Sequence, residues 1–397
     1  MYPKIVIAGS CRTPIGKAPS GKLKDWTAVD LLTICFQETL KRSFTIPDHV
    51  IAGAVAHPSD APNVARVAAL RASVPQGVPA FSVQMNCGSG LRAITSAAQM
   101  IKAGEATCVL IGGTESMSNI PFTIRGIRKG QGIAYDPRVA MSNFVDALAE
   151  GLTDPITGEM MGKTAENVAE KRDVSRKAQD EFAVNSHKKA MAAARAGKFK
   201  AQMITIKDKK GQVVIAADEC PNPTLNTQIL SALPTIFKKD GTVTPANSCP
   251  LSDGASAMLV MTEDCARMAG IFPEAEIVAY GYAGCDPSMM GLGPVNAVNY
   301  VMGPCPGGIK LSDVNFFELN EAFAAQAIAC QRLLEIPEEK LNVWGGAIAL
   351  GHPVGATGAA LTTKAIAIMK DQQKDLAIIT MCIGGGQGGA MLIRNMV

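Results

Sequence analysis

Asn86-Cys-Gly-Ser-Gly-Leu-Arg-Ala-Ile-Thr-Ser-Ala-Ala-Gln-Met-Ile-Lys-Ala-Gly104 and Gly355-Ala-Thr-Gly-Ala-Ala-Leu-Thr-Thr-Lys-Ala-Ile-Ala-Ile368 are the two stretches whose reading decides the fold. Each is a glycine-rich turn that opens a helix. Leu91, Ile94, Ala98 and Ile101 in the first, and Leu361, Ala365 and Ile368 in the second, recur at spacings of 3 to 4 and give each helix one buried stripe. A strand-like run follows each helix. Thr107–Ile111 ends in Gly112-Gly113, and Leu376–Met381 ends in Cys382-Ile-Gly-Gly-Gly386. Upstream the plan also matches, since Ile46-Pro-Asp-His-Val-Ile51 and Leu311-Ser-Asp-Val-Asn-Phe316 each lead into a strand. The chain reads as two copies of one unit, alike in pattern more than in identity.

Working outward, further strands are expected at Lys4–Ala8, Val50–Ala54, Val314–Glu318 and Met391–Ile393, alternating with alanine-rich helices. This is the pattern of a layered α/β protein. Several runs are apolar without a break, as strands covered on both faces should be. Between the copies the character changes. Residues 121–244 hold 19 basic and 14 acidic side chains, against 19 and 21 in the rest. Their best helix starts from Ser175 as N-cap and stops near Gly197, with acids early and bases late. We read a core half at 1–120 plus 245–269, an inserted loop domain at 121–244, and a second core half at 270–397. A basic cover suits a polyanionic ligand; an ordinary solvated lid fits the composition equally well.

With 397 residues, 47% of them hydrophobic and only 18% charged, the chain is a packed globule and not a disordered one. A net charge of +3 excludes nucleic acid as the main partner. Eleven scattered cysteines, an odd number without C-x-x-C spacing, point to a reducing compartment and no zinc site. No basic region with a long apolar stretch precedes Ile5-Val-Ile-Ala8, so no signal peptide is read and the cytoplasm is expected. Leu341 to Thr363 carries no formal charge, long enough to mimic a membrane span. Five glycines and Gly-His-Pro at its centre make it a buried irregular loop instead, and no membrane span is expected.

Four places could carry chemistry. Cys87 lies between an apolar run and a helix start, where the dipole and free N–H groups would stabilise a thiolate; the plainer reading is a small buried hydrophobe. His352, one of four histidines, sits among glycines that would expose an imidazole able to take a proton or donate to an oxyanion. It could equally be a satisfied core histidine. Cys382 precedes Gly384-Gly-Gly-Gln-Gly-Gly389, a turn with open N–H groups but without the lysine of a phosphate loop. Asn320, in Phe316-Phe-Glu-Leu-Asn-Glu-Ala-Phe323, could fix a water or serve only as a helix N-cap, and Glu321 could be a base or a first-turn dipole partner.

Together these blocks resemble the thiolase family. Asn86-Cys87-Gly-Ser-Gly, Asn320-Glu-Ala-Phe323, Gly351-His-Pro-Val-Gly355 and Cys382-Ile-Gly384 match its four motifs in order and spacing, from Ile5 to the C-terminus. The resemblance implies a five-layer αβαβα fold of two repeated halves with mixed sheets and an inserted loop domain. It implies acyl-CoA and CoA as substrates with no metal or resident cofactor, a homodimer or homotetramer, and a possible partner in a β-oxidation complex. Cys87 would carry the acyl group, His352 would take its proton, and Cys382 would exchange a proton with the acetyl α-carbon. His352 and a water on Asn320 would hold the enolate; backbone N–H groups of Cys87 and Gly384 would hold the tetrahedral oxyanion.

Two departures bear on substrate contacts. Met160-Met-Gly-Lys-Thr-Ala-Glu166 has methionine where short-chain members carry histidine, which speaks for a degradative type; Met161 then serves as pocket wall, and Met160 either contacts substrate or fills core space. Cys249, in Asn247-Ser-Cys-Pro-Leu-Ser-Asp-Gly254, stands where many members place a pantetheine-contacting serine. Phe323 completes the expected ligand contacts. A decarboxylating ketoacyl synthase, which lacks a second thiol, and an inactive scaffold are the alternatives; acyl chain length stays open.

Overall fold

The computed structural model describes residues 3–125, 144–303 and 305–397; residues 126–143 of the expected loop domain lie outside them. The strands are β1 (Ile5–Arg12), β2 (His49–Gly53), β3 (Ala80–Val83), β4 (Cys108–Ser116), β5 (Ser252–Thr262), β6 (Ala275–Gly284), β7 (Phe316–Leu319), β8 (Leu376–Ile383) and β9 (Gln387–Asn395). The main helices are α1 (Ala28–Ser43), α2 (Val64–Arg71), α3 (Ser89–Lys102), α4 (Met161–Lys171), α5 (Arg176–Arg195), α6 (Gly293–Met302), α7 (Ala324–Leu333) and α8 (Thr357–Gln372).

The duplication is written in the strand order. One half runs β3-β2-β4-β5-β1, the other β7-β8-β9-β6, and a lone parallel bridge from Phe317 to Leu341 stands where the counterpart of β3 would be. Parallel pairs lie at the β2 and β7 end of each half, antiparallel pairs toward β1 and β6. It is written in hydrogen bonds too. Asp48, just before β2, accepts from the N–H groups of Thr107 and Cys108, and Asn315, just before β7, accepts from those of Asp375 and Leu376. The sheets of the two halves meet edge to edge through Val6–Glu276 and Ile7–Ala275.

Alternating side chains explain the unbroken apolar runs. Ile5, Ile7, Ile51, Ile379 and Met381 face a central core around α3 and α8. Val6, Val50, Ala52 and Leu110 face α1 and α2. Ile378 and Leu392 face α6 and α7. Helix, sheet, paired central helices, sheet and helix thus make five layers. Helices α4 and α5, within the expected loop domain, pack on α7. Ser175 caps α5, its Oγ accepting from the Ala178 N–H at 3.2 Å.

Two sequence expectations shift. The strand expected to end at Gly112-Gly113 continues to Ser116. These glycines admit neighbours: a Cβ at Gly112 would lie 2.5 Å from Leu32 Cδ1, and one at Gly113 2.6 Å from the Gly355 carbonyl oxygen. Strands β5 and β6 carried no clear signal, because β5 opens with Ser252-Asp-Gly-Ala-Ser-Ala257, small residues fitted between covered neighbours. The uncharged stretch from Leu341 to Thr363 is a buried loop, a short helical turn at Ala347–Leu350 and the start of α8. No described helix is long and apolar enough to cross a membrane.

The central pair brings both halves to one site. Gly90 and Gly358 each occupy the second position of their helix, and a Cβ on Gly358 would lie 2.1 Å from Leu91 N. Gly358→Ala is therefore expected to lower stability by about 3 kcal/mol, since backbone must move to relieve the overlap. Urea unfolding measures this, and an unchanged midpoint would count against such close contact.

Candidate active site

Cys87 sits in a tight strand-to-helix turn. The Ser89 hydroxyl accepts from Met85 N–H at 2.9 Å and donates to Asn86 O at 2.7 Å, while Asn86 adopts φ +45°, a conformation asparagine tolerates. The Asn86 amide donates to Gly384 O at 2.9 Å, tying this turn to the one after β8. There Gly385 and Gly386 take φ +87° and +78°, and a Cβ on Gly386 would lie 2.4 Å from Cys285 O. Ile383 packs against Gly88, where a Cβ would be 2.6 Å from its Cδ1.

These contacts bring the two cysteines together. Burial pushes the Cys87 thiol up to about 11, although the nearby N–H groups of Gly384 and of Cys87 itself oppose the rise. Burial also raises Cys382 well above the ordinary thiol range, with the nearby charge of a Cys87 thiolate adding to it. The expectation of a dipole-stabilised thiolate is thus corrected: desolvation outweighs the helix terminus, and Cys87 rests protonated.

His352 is fully placed by its neighbours. Its Nδ1 lies 2.6 Å from Thr357 Oγ1, and that hydroxyl gives its single proton to Pro353 O at 2.9 Å. Nδ1 must then be the donor, which leaves a lone pair on Nε2. Burial lowers the imidazole to about 4, so it is neutral near pH 7. Nε2 is 3.3 Å from Asn320 Nδ2. Asn320 follows β7 and is fixed by its N–H to Thr380 O at 2.9 Å, so it is a strand-end residue and not the cap of α7.

The remaining candidates divide. Met161 and Phe323 join Cys382, Ala322, Met290 and Val243 in one apolar cluster, with Phe237 edge-on to Phe323 at 6.4 Å. Cys249 is half-buried, bonds through its N–H to Ala322 O, and lies close enough to Cys87 for a Cys87 thiolate to disfavour its ionisation. Met160 does not join: it is 44% exposed, which removes the core-filling reading. Glu321 is no free base, because Ser186, Asn342 and the Ile348 N–H all donate to it. It forms part of the floor of a surface cleft of about 470 Å³ between α5 and α7, lined by none of the three thiols. Among the described residues no His/Cys/Asp/Glu group could hold a metal ion.

Sequence reasoning missed Glu115. Its buried carboxylate accepts from the N–H groups of Val55, Ala56 and Gly355 at 3.0–3.1 Å, bracing the histidine loop, and burial lifts it to about 7. A charge at the end of an otherwise apolar strand was the available signal. Thr357 and Phe237 carried none, because their partners are set by tertiary contact.

Residues 5–264 match the family described as thiolase, N-terminal domain, and residues 271–395 the thiolase, C-terminal domain. The chain belongs to the thiolase family. It is 42% identical to a probable acetyl-CoA acyltransferase of Staphylococcus epidermidis over 399 residues, covering 99% of each. The crystal structure of the Bacillus anthracis acetyl-CoA acetyltransferase superposes with TM-score 0.94 at 38% identity, over 99% of both chains. Human mitochondrial 3-ketoacyl-CoA thiolase in complex with CoA gives 0.93 at 38%, over 99% of this chain and 98% of that one. The thiolase fold expected from the motifs is the fold observed.

Proposed function

We propose that the chain is an acetyl-CoA C-acyltransferase that moves acyl groups reversibly between 3-ketoacyl-CoA and CoA through an acyl-Cys87 intermediate. The observation that carries this reading is the approach of Cys87 to Cys382, supported by the Asn320–His352 pair that joins the other two motif blocks. Relatives named acetyl-CoA acyltransferase and a neighbour in complex with CoA support it.

In the thiolytic direction Cys87 Sγ attacks the 3-keto carbon as its proton passes to His352 Nε2. The oxyanion meets the N–H groups of Cys87 and Gly384. The C2–C3 bond breaks, leaving acyl-Cys87 and the enolate of acetyl-CoA. Cys382, protonated at rest, gives its proton to C2, while the imidazolium and a water on Asn320 hold the enolate oxygen. CoA then loses its thiol proton to Cys382 and attacks the acyl group; the proton on His352 returns to Cys87. Covalent capture splits one hard transfer into two easier ones. A ketoacyl synthase reading is disfavoured by the second thiol, and an inert scaffold by this intact set.

Coenzyme A enters as substrate, with Met161, Phe323 and Cys249 as contacts, and no resident cofactor takes part in these steps. The reading includes a cytoplasmic homodimer or homotetramer. The test is thiolysis across a series of 3-ketoacyl-CoA chain lengths, followed by loss of the magnesium-enolate absorbance. Turnover of medium and longer chains is expected; no turnover of any member overturns the reading, and a steep preference for the four-carbon substrate overturns the use made of Met160.

A further inference from the structure

Asn320 is bonded on one side only. Its Nδ2 reaches His352, yet its Oδ1, in a side chain without exposed surface, finds no donor among the described residues. Leaving such a carbonyl unpaired costs about 1–3 kcal/mol. It would also leave the amide free to turn over and present oxygen, not N–H, to the imidazole.

Beside Asn320 lies a cavity of about 20 Å³, lined by Asn320, Lys364, Arg12, Gly346 and Thr357 among others. One water needs roughly 10–15 Å³. Lys364, on α8, is buried and has three N–H groups. One donates to Gly345 O at 2.5 Å and a second faces Glu318 Oε2 at 2.8 Å. The third is left for the cavity that Lys364 and Asn320 both line. Glu318 stands two residues before Asn320, and its own oxygens accept no well-aligned hydrogen bond. Charge, amide and cavity therefore form one polar unit behind the histidine, to which Lys364 and Glu318 contribute from outside the four motif blocks.

We propose that Lys364 is a positioning residue for Asn320, acting through one water in this cavity. The ammonium donates to the water, the water donates to Asn320 Oδ1, and the amide is thereby held with Nδ2 toward the imidazole. The inference rests on the reading of Asn320 as part of the enolate's donor set.

The test uses the full chain with Lys364→Met and Glu318→Gln combined, so that no unpaired charge stays buried. Two rates are compared with the wild type: thiolysis of a 3-ketoacyl-CoA, which passes through the enolate, and exchange of acetyl between acetyl-CoA and labelled CoA, which needs Cys87 but no enolate. Misplacing the donor should lower thiolysis kcat by about 10²-fold with KM and acetyl exchange nearly unchanged. Equal loss in both reactions, or no loss, overturns the proposal. Should the double variant not fold, a wild-type crystal structure that resolves waters decides. A water within hydrogen-bond distance of both Asn320 Oδ1 and Lys364 Nζ supports it, and a dry cavity sinks it. A wild type inactive in both reactions would instead refute the proposed function, while the water still reports on the geometry.

Discussion

Cys87→Ala is expected to form no acyl-enzyme and to lose turnover by on the order of 10⁴-fold or more. Cys382→Ala is expected to acylate normally but neither cleave nor form the carbon–carbon bond. Cys382 is fully buried and Cys87 half-buried, both are protonated at rest, and their surroundings differ. The Gly384 N–H lies near the Cys87 sulfur, and it and the Cys87 N–H are donors that a tetrahedral oxyanion formed there would meet. Cys382 lies among Met161, Phe323 and Met290, where a thiol can exchange a proton with carbon but has little to stabilise an acyl transfer. Intact mass after incubation with acetyl-CoA separates the two roles. Acetylation of both variants to the wild-type extent would end this division of labour.

The parts of the fold that were legible in the sequence are those governed by local chemistry. The α3 and α8 stripes, the Ser175 cap and the glycine stops depend on residues within a few positions of each other. What the sequence hid depends on close approach. Gly112 and Gly113 read as a strand end, though they sit inside β4 to admit Leu32 and the Gly355 carbonyl. Strand β5 was invisible because covered strands of small residues have no amphipathic signature. At the site, residue types and motif order pointed to Cys87, His352, Asn320 and Cys382. Their protonation could not be read that way, since it follows from burial: a helix terminus seen in sequence promised a thiolate, and desolvation reversed the sign. Glu115 and Lys364, which brace the site from behind, have partners 240 and 19 residues away.

That reversal gives His352→Ala its expected signature. At pH 7 a thiol with a pKa of about 11 is ionised to roughly one part in 10⁴. The wild type does not wait for that fraction. His352, lowered to about 4, is a neutral base across the whole range from about pH 5 to 9, and takes the proton as sulfur attacks. Burial disfavours a prior thiolate–imidazolium pair, since it raises the thiol and lowers the imidazole. Without the imidazole, acylation depends on thiolate already present. A raised thiol pKa means the reactive form is scarce below it and grows with pH. The variant should therefore acylate about 10³–10⁴-fold more slowly at pH 7 and gain about tenfold per pH unit up to pH 10, while the wild type stays nearly flat. Single-turnover acetylation by acetyl-CoA at a series of pH values reads both curves. Parallel profiles would mean that another group takes the proton, and the role assigned to Nε2, with its lone pair fixed by the Thr357 hydroxyl, would fall.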